Sequence, residues 1–164
     1  MQPFIAQLRR LYAAAVRICN ELQSLFLLVV RLYWGWQLIQ SGWGKLHNLA
    51  KVTDFFTSLN LPMPAQMAVF ISSVEFFGGL LLVLGLLSRL NALVLVVNML
   101  MAYITADREA FFSFFSDPDK FSAAAPYVFL IASLIVLIFG PGFFSLDTLL
   151  LRRYPYPPGP PSPG

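Results

Sequence analysis

The chain has 164 residues, of which 58% are hydrophobic and 12% charged, with 16 phenylalanines and a net charge of +3. Soluble domains carry ~25% charged residues, so this composition leaves too little polar surface for a water-exposed globule and indicates an integral membrane protein. One cysteine, Cys19, and one histidine, His47, exclude an intramolecular disulfide, an all-cysteine iron–sulfur cluster and any bis-histidine haem or multi-histidine metal site within one chain.

In chain order, residues 3–22 place Phe4, Leu8, Leu11, Ala15, Ile18 and Leu22 at helical spacing, with Arg9, Arg10 and Arg17 mostly elsewhere. This predicts an amphipathic helix (residues 1–23) on a membrane surface, where basic residues meet anionic lipid headgroups. The stretch lacks the continuous apolar core and small-residue cleavage site of a signal peptide. Four spans of mainly apolar residues follow at 24–44, 66–87, 90–105 and 126–144, by the rule that a crossing helix needs roughly 20 such residues. Between the first two, Val52, Phe55, Phe56 and Leu59 recur at i, i+3, i+4 and i+7, the face of a short helix expected to rest in the interface. Phe111, Phe112, Phe114 and Phe115 suggest a similar element before Pro118. Residues 151–164 end in PYPPGPPSPG, which predicts an extended, unfolded tail. The expected fold is an all-α integral membrane four-helix bundle over residues 24–150, with interfacial helices outside it.

Arg9, Arg10, Arg17, Arg89, Arg152 and Arg153 fall on one side of this topology, and Lys45, Lys51, Arg108 and Lys120 on the other. The excess of basic residues puts both chain ends in the cytoplasm. Trp34, Trp36, Trp43 and Tyr103 are expected to anchor the outer interface.

Two charges lie inside the spans, Arg31 and Glu75. Each costs roughly 2.5–3.5 kcal/mol at mid-bilayer and so should turn inward and find a partner. At 1.5 Å per residue, Arg31 lies ~10 Å and Glu75 ~18 Å from the cytoplasmic side, within combined side-chain reach, with Asn98 at ~12 Å. The helical faces agree. Ser24, Arg31, Gly35, Gly42 and Lys45 share one stripe, Glu75, Gly78 and Gly85 a second, and Asn91, Asn98, Ala102 and Thr105 a third. Ser133 and Gly140 form a fourth. The expectation is an Arg31–Glu75–Asn98 cluster, with Lys45 at its outer mouth. A buried ion pair can serve packing specificity as well as chemistry. The functional reading makes Glu75 and Arg31 catalytic, Glu75 exchanging protons, and gives Asn98 and Lys45 to a bound cofactor, with no metal site. At the cytoplasmic rim, Arg89 is expected to pair with Asp147.

The segments RLYWGWQLIQSGWGKL, FFTSLNLPMP, VEFFGGLLLVLGLLSRLNAL and FGPGFFSLD, in this order and spacing, resemble the DoxX family of small four-span membrane proteins over residues 24–150. The matching residues are Arg31, Gly42, Lys45, Glu75, Gly78, Gly79, Gly85, Arg89, Gly140, Gly142, Ser145 and Asp147. The resemblance implies a bacterial inner membrane. It also implies a role such as that of the DoxD-type subunit of thiosulfate:quinone oxidoreductase, or of thiol-redox and oxidative-stress membrane complexes. No DoxA-like region is present in this sequence, so the resemblance is not extended to thiosulfate as substrate. Three functions fit these residues. They are a redox-linked subunit that takes a quinone as a non-covalent cofactor, a small proton-coupled transporter, and a scaffold that assembles partners. Beyond the lipid bilayer, the partner is expected to be another protein or a second copy of the chain, not nucleic acid.

Overall fold

The computed structural model describes residues 2–153. Residues 154–164 of the expected tail fall outside the described residues, as do the side chains of Phe4 and Leu8, whereas residues 151–153 are helical and not unfolded as expected. The order is α1 (Gln2–His47), α2 (Leu49–Ser58), α3 (Pro64–Leu84), α4 (Ser88–Thr105), α5 (Arg108–Phe112), α6 (Pro118–Ala123), α7 (Pro126–Phe139) and α8 (Leu146–Arg153). No strand occurs among the described residues.

The expected boundary at residue 23 has no structural break. Residues 2–47 form one uninterrupted helix, about 69 Å long at 1.5 Å per residue. That is more than twice the ~30 Å of a bilayer's hydrocarbon core. Nothing in this stretch stops a helix, since it has neither glycine before Gly35 nor proline after Pro3. Among the described residues, three helices are long and apolar enough to cross a membrane, at Leu11–His47, Pro64–Leu84 and Ser88–Thr105.

The fourth expected span differs. Its helix α7 has 14 residues, about 21 Å, and stops at Gly140, whose φ of 80° lies outside the helical region. Extended and turn residues from Gly140 to Ser145 carry the chain onward to α8. Backbone without helical bonds is tolerated at membrane depth only where protein groups satisfy it.

α1 packs on α3, α3 on α4, α4 on α7 and α7 on α1, closing a four-helix bundle, and α2 lies against α3. Glycines set the closest approach. A β-carbon on Gly42 would lie 2.7 Å from the Cα of Phe76, and one on Gly79 would lie 2.8 Å from the Gly35 carbonyl. Small residues let membrane helices approach to backbone contact in this way. The hydrophobic core is built from Leu38, Leu82, Ala92, Leu95, Met99, Tyr103 and Val136. Tyr103 is fully buried, donates to the Phe121 carbonyl at 2.8 Å and stacks on the Phe121 ring. It is a core residue and not the interface anchor expected from sequence, because α6 folds back over the end of α4. Trp34 also turns inward, edge-on to Phe129, while Trp36 and Trp43 are exposed as expected.

Candidate functional site

The register of α1 against antiparallel α3 decides which polar groups meet. Gly35 faces Gly79 and Gly42 faces Phe76, so the α1 residue opposite Glu75 is Ser41, and Arg31 lies opposite Leu82 and Val83. The expected Arg31–Glu75 pair does not form. The carbonyls that Arg31 reaches are seven and eight residues along α3 from Glu75, about 10–12 Å by helical rise. The depth estimate placed the cytoplasmic end of the second span at Leu87, whereas α3 ends at Leu84 and α1 has no terminus at Ser24. Arg31 therefore sits closer to the end of the bundle than the estimate put it.

Arg31 is 1% exposed and donates to four backbone carbonyls. Its Nε bonds Leu82 at 3.0 Å and Nη2 bonds Val83 at 3.1 Å, while Nη1 bonds Pro141 at 2.5 Å and Phe144 at 2.9 Å. The first two carbonyls are among those a helix leaves without intrahelical partners at its C-terminus, where the helix dipole also favours a cation. The other two belong to the non-helical stretch that completes the fourth crossing. A single guanidinium thus ties together two backbone segments that hydrocarbon could not solvate. Gly85 permits this closure. Its φ is 66°, and a β-carbon there would fall 2.6 Å from Arg31 Cζ and 2.7 Å from Ser145 Cβ.

Asp147 does not pair with Arg89, contrary to expectation. Its two carboxylate oxygens accept from the backbone nitrogens of Leu87 and Ser88, both at 2.8 Å, which caps the first turn of α4. The Asp147 nitrogen in turn donates to the Gly85 carbonyl at 3.0 Å. Free N–H groups and the positive end of the α4 dipole hold a carboxylate better than an exposed arginine does.

At the opposite end of the bundle, Glu75 is 5% exposed. Its Oε1 accepts from Lys45 Nζ at 2.5 Å and its Oε2 from Ser41 Oγ at 2.9 Å. Ser41 and Lys45 are one helical turn apart, so one face of α1 presents both. The pair borders a cavity of about 550 Å³ lined by residues of α1, α2, α3, α4 and α7, within the size range of small-molecule sites. Its walls are mostly apolar, and its polar residues include Glu75, Lys45, Ser41 and Asn98. The apolar face of α2 does not lie flat in the interface as expected. Val52, Phe55, Phe56 and Leu59 all line this cavity and cover it.

Three of the four expected site residues, Glu75, Lys45 and Asn98, therefore meet at one cavity, and Arg31 does not reach it. Asn98 does not bond Glu75. Its Nδ2 is buried and has no acceptor, an orphan donor beside an otherwise apolar space. Ser41, Lys51 and Asp107 also line the cavity and were not singled out from sequence. Ser41 had a signal, its position four residues before Lys45. Lys51 and Asp107 had none, because each borders the cavity only once the helices are packed and α2 lies against α3. Gly78 faces α4 and not α1, and its carbonyl accepts from Asn91 Nδ2 at 2.9 Å. His47 and Cys19 are exposed.

Comparison with known proteins agrees with this architecture. The chain is similar to an inner membrane protein, YqjF, of Escherichia coli (26% identity; 82% of this chain, 99% of the relative). It is similar to a protein of Bacillus subtilis named "Putative oxidoreductase CatD" (26%; 76% and 87%). An uncharacterized protein of Haemophilus influenzae matches to the same degree (26%; 79% and 85%). No solved structure matches the chain. The DoxX family model matches residues 26–108, which hold Arg31 with its α3 carbonyls and also Ser41, Lys45, Glu75 and Asn98. The chain is a membrane protein belonging to the DoxX family.

Proposed function

We propose that this protein is the membrane subunit of a redox-linked complex in a bacterial inner membrane, binding a quinone in the cavity beside Glu75, with both chain ends cytoplasmic. The observation that carries the proposal is a buried carboxylate held only by side chains, Lys45 and Ser41, in the wall of an otherwise apolar cavity. Intramembrane ionisable groups in such positions mark proton or substrate paths. The oxidoreductase name of the Bacillus subtilis relative and the membrane location named for the Escherichia coli relative point the same way.

The residues fit the group. A quinone, when bound, supplies an acceptor for two electrons and two protons. Lys45 and the unpartnered Asn98 amide are the donors that would hold its oxygens, and the aromatic and aliphatic walls would hold its ring. Glu75 and Lys45 share a hydrogen bond through which a proton can pass to or from the cavity, and Ser41 orients the carboxylate. Arg31 takes no part. With one cysteine and one histidine in the sequence, the electrons come from a partner protein or from a thiol substrate, two thiols giving up two electrons and two protons as they form a disulfide.

The test is purification of the full chain in mild detergent, extraction of bound quinone, and quinone reduction followed optically with dithiol donors. Glu75→Gln is expected to keep the fold and lose turnover. Full turnover by that variant, or no quinone-dependent change with any donor, overturns the proposal. A proton-coupled cation transporter is disfavoured because Lys45 already occupies the position beside Glu75 that an exchanged cation would take. A scaffold role has one observation of its own, the exposed Leu11, Tyr12, Ile18 and Leu22 on the part of α1 preceding the bundle. Deletion of residues 1–22, followed by comparison of co-purifying partners, tests it.

A further inference from the structure

The cavity's walls differ from one side to the other, and the difference bears on how a ligand reaches Glu75. In the half of the bundle nearer Gly85, α3 and α4 are in tight contact. A β-carbon on Gly78 would lie 2.8 Å from Leu95 Cδ2, and Asn91 closes the seam through the Gly78 carbonyl. Farther along, the same two faces no longer close on each other. Met67 and Ile71 of α3 and Asn98, Met101 and Thr105 of α4 line the cavity instead. Met101 is 48% exposed while also lining the cavity, so the cavity reaches the outer surface there. Around it lie Val97, Ile104 and Phe70, all exposed and apolar, on helices long enough to cross a membrane. Two charged residues, Lys51 of α2 and Asp107 just beyond α4, line the cavity as well.

We infer that the separation of α3 and α4 beside Met101 is a lateral portal, through which a single-headed amphiphile from the bilayer places its polar head at Glu75, Lys45 and Asn98 and leaves its apolar tail between the two helices. This rests on the cavity being the ligand site of the proposed function, but it concerns the route and the amphiphilic class of ligand, not the redox chemistry. The gradient of the walls supports it. Hydrogen-bonding groups stand at the inner end, the unsatisfied Asn98 donor stands between, and thioether and alkyl groups stand at the outer end. A ligand polar throughout would have to leave its groups unpaired against Met67, Ile71 and Met101, which is costly in an apolar environment. Met side chains are unbranched and adaptable, suited to a gap that must admit and release a chain.

The test uses the full chain in phosphatidylcholine vesicles in which a small share of the lipid carries a diazirine on the acyl carbons next to the headgroup. Cross-linked positions are read by mass spectrometry after illumination. Labelling is expected at Leu38 and Met99, which line the cavity and are buried from every other direction, in addition to outward-facing Val97 and Ile104. Met101→Trp should reduce the Leu38 and Met99 labelling severalfold and leave Ile104 unchanged. Leu93→Trp, on the outward face of α4, should change neither. Labelling confined to outward residues overturns the portal, as does interior labelling indifferent to Met101→Trp. So does interior labelling by a water-soluble diazirine only. Acyl-chain labelling of the interior without any quinone binding would leave the portal standing and remove the redox proposal, so the two can fail separately.

Discussion

Two buried charges on facing helices end up with opposite kinds of partner. Arg31 gives its donors to four backbone carbonyls, two at the end of α3 and two in the stretch after α7. Glu75 is held by two side chains, one of which, Lys45, is 37% exposed. Backbone groups cannot move away without unfolding a turn, so the Arg31 end is a fixed clasp. Side chains can change rotamer, so the Glu75 end can rearrange without unfolding a helix, which is what the proposed function asks of it. The difference shows that a charge inside a membrane span can serve to fasten backbone, and that the nature of its partners sets Arg31 apart from Glu75. It also explains how a fourth crossing with only 14 helical residues is tolerated, because Arg31, Ser145 and Thr148 supply the donors that its non-helical carbonyls require.

This contrast can be broken by substitution, and the largest effect is expected at Arg31. Arg31→Met takes a donor from four carbonyls, of which, among the described residues, Leu82 alone keeps a bond, from the Gly85 nitrogen at 3.2 Å. It should cost about 3–5 kcal/mol, the range for removing one partner of a buried charged network, seen as loss of monodisperse protein in detergent. Arg31→Lys, without the planar fork, should recover only part of this. Stability equal to that of the unaltered chain in either variant would remove the clasp. Gly42→Ala pushes a methyl group into the α3 backbone and should cost about 1–3 kcal/mol, as overpacking does, read from the thermal transition. Asp147→Ala removes the α4 cap and should cost about 0.5–2 kcal/mol, whereas Arg89→Ala should leave the transition within about 0.5 kcal/mol. A larger loss at Arg89 than at Asp147 would restore the rim pair expected from sequence.

Glu75→Gln sharpens the comparison from the other side. It keeps the shape and the Ser41 contact and leaves a half-exposed lysine that water can reach, so the thermal transition should move less than for Asp147→Ala while quinone turnover is lost. The smallest effect belongs to the exposed Glu109–Lys120 pair, 2.9 Å apart on the loop helices. The hydrogen bond and charge of Lys120 hold the Glu109 carboxyl below its ordinary range. A depressed folded value means that the contribution is present above the unfolded glutamate value and is lost as pH falls through the folded one. Lys120→Met should therefore flatten the acid side of the stability profile only slightly, and screening by salt should erase the difference.

Much of this was legible in the chain because membrane physics leaves few choices. Apolar length gave α3, α4 and the membrane part of α1, and the apolar spacing in Val52, Phe55, Phe56 and Leu59 gave α2. The site was legible in part. Glu75, Lys45 and Asn98 stand out as polar groups in or beside apolar helices, and they do meet. What sequence misjudged was partnership. Depth measured from assumed span ends put Arg31 beside Glu75, and nothing local showed that α1 runs on without a break or that α3 stops three residues early at Gly85. Side-chain reach alone could not choose between Glu75 and a carbonyl for Arg31, since a linear pattern lists charged residues and is silent about unsatisfied backbone.

The sequence alone determined the class of the protein, because a chain with so many apolar side chains and so few charges is suited only to lipid, while the order of its motifs carried the family resemblance. It also determined which residues carry unusual chemistry, because polar groups in hydrocarbon are costly wherever they stand. Only the tertiary structure decided which of them is held by backbone carbonyls and which borders a cavity. That choice depends on the register of α1 against α3, set by glycine contacts at Gly35, Gly42 and Gly79, and on where a helix ends and leaves its carbonyls in need of a donor.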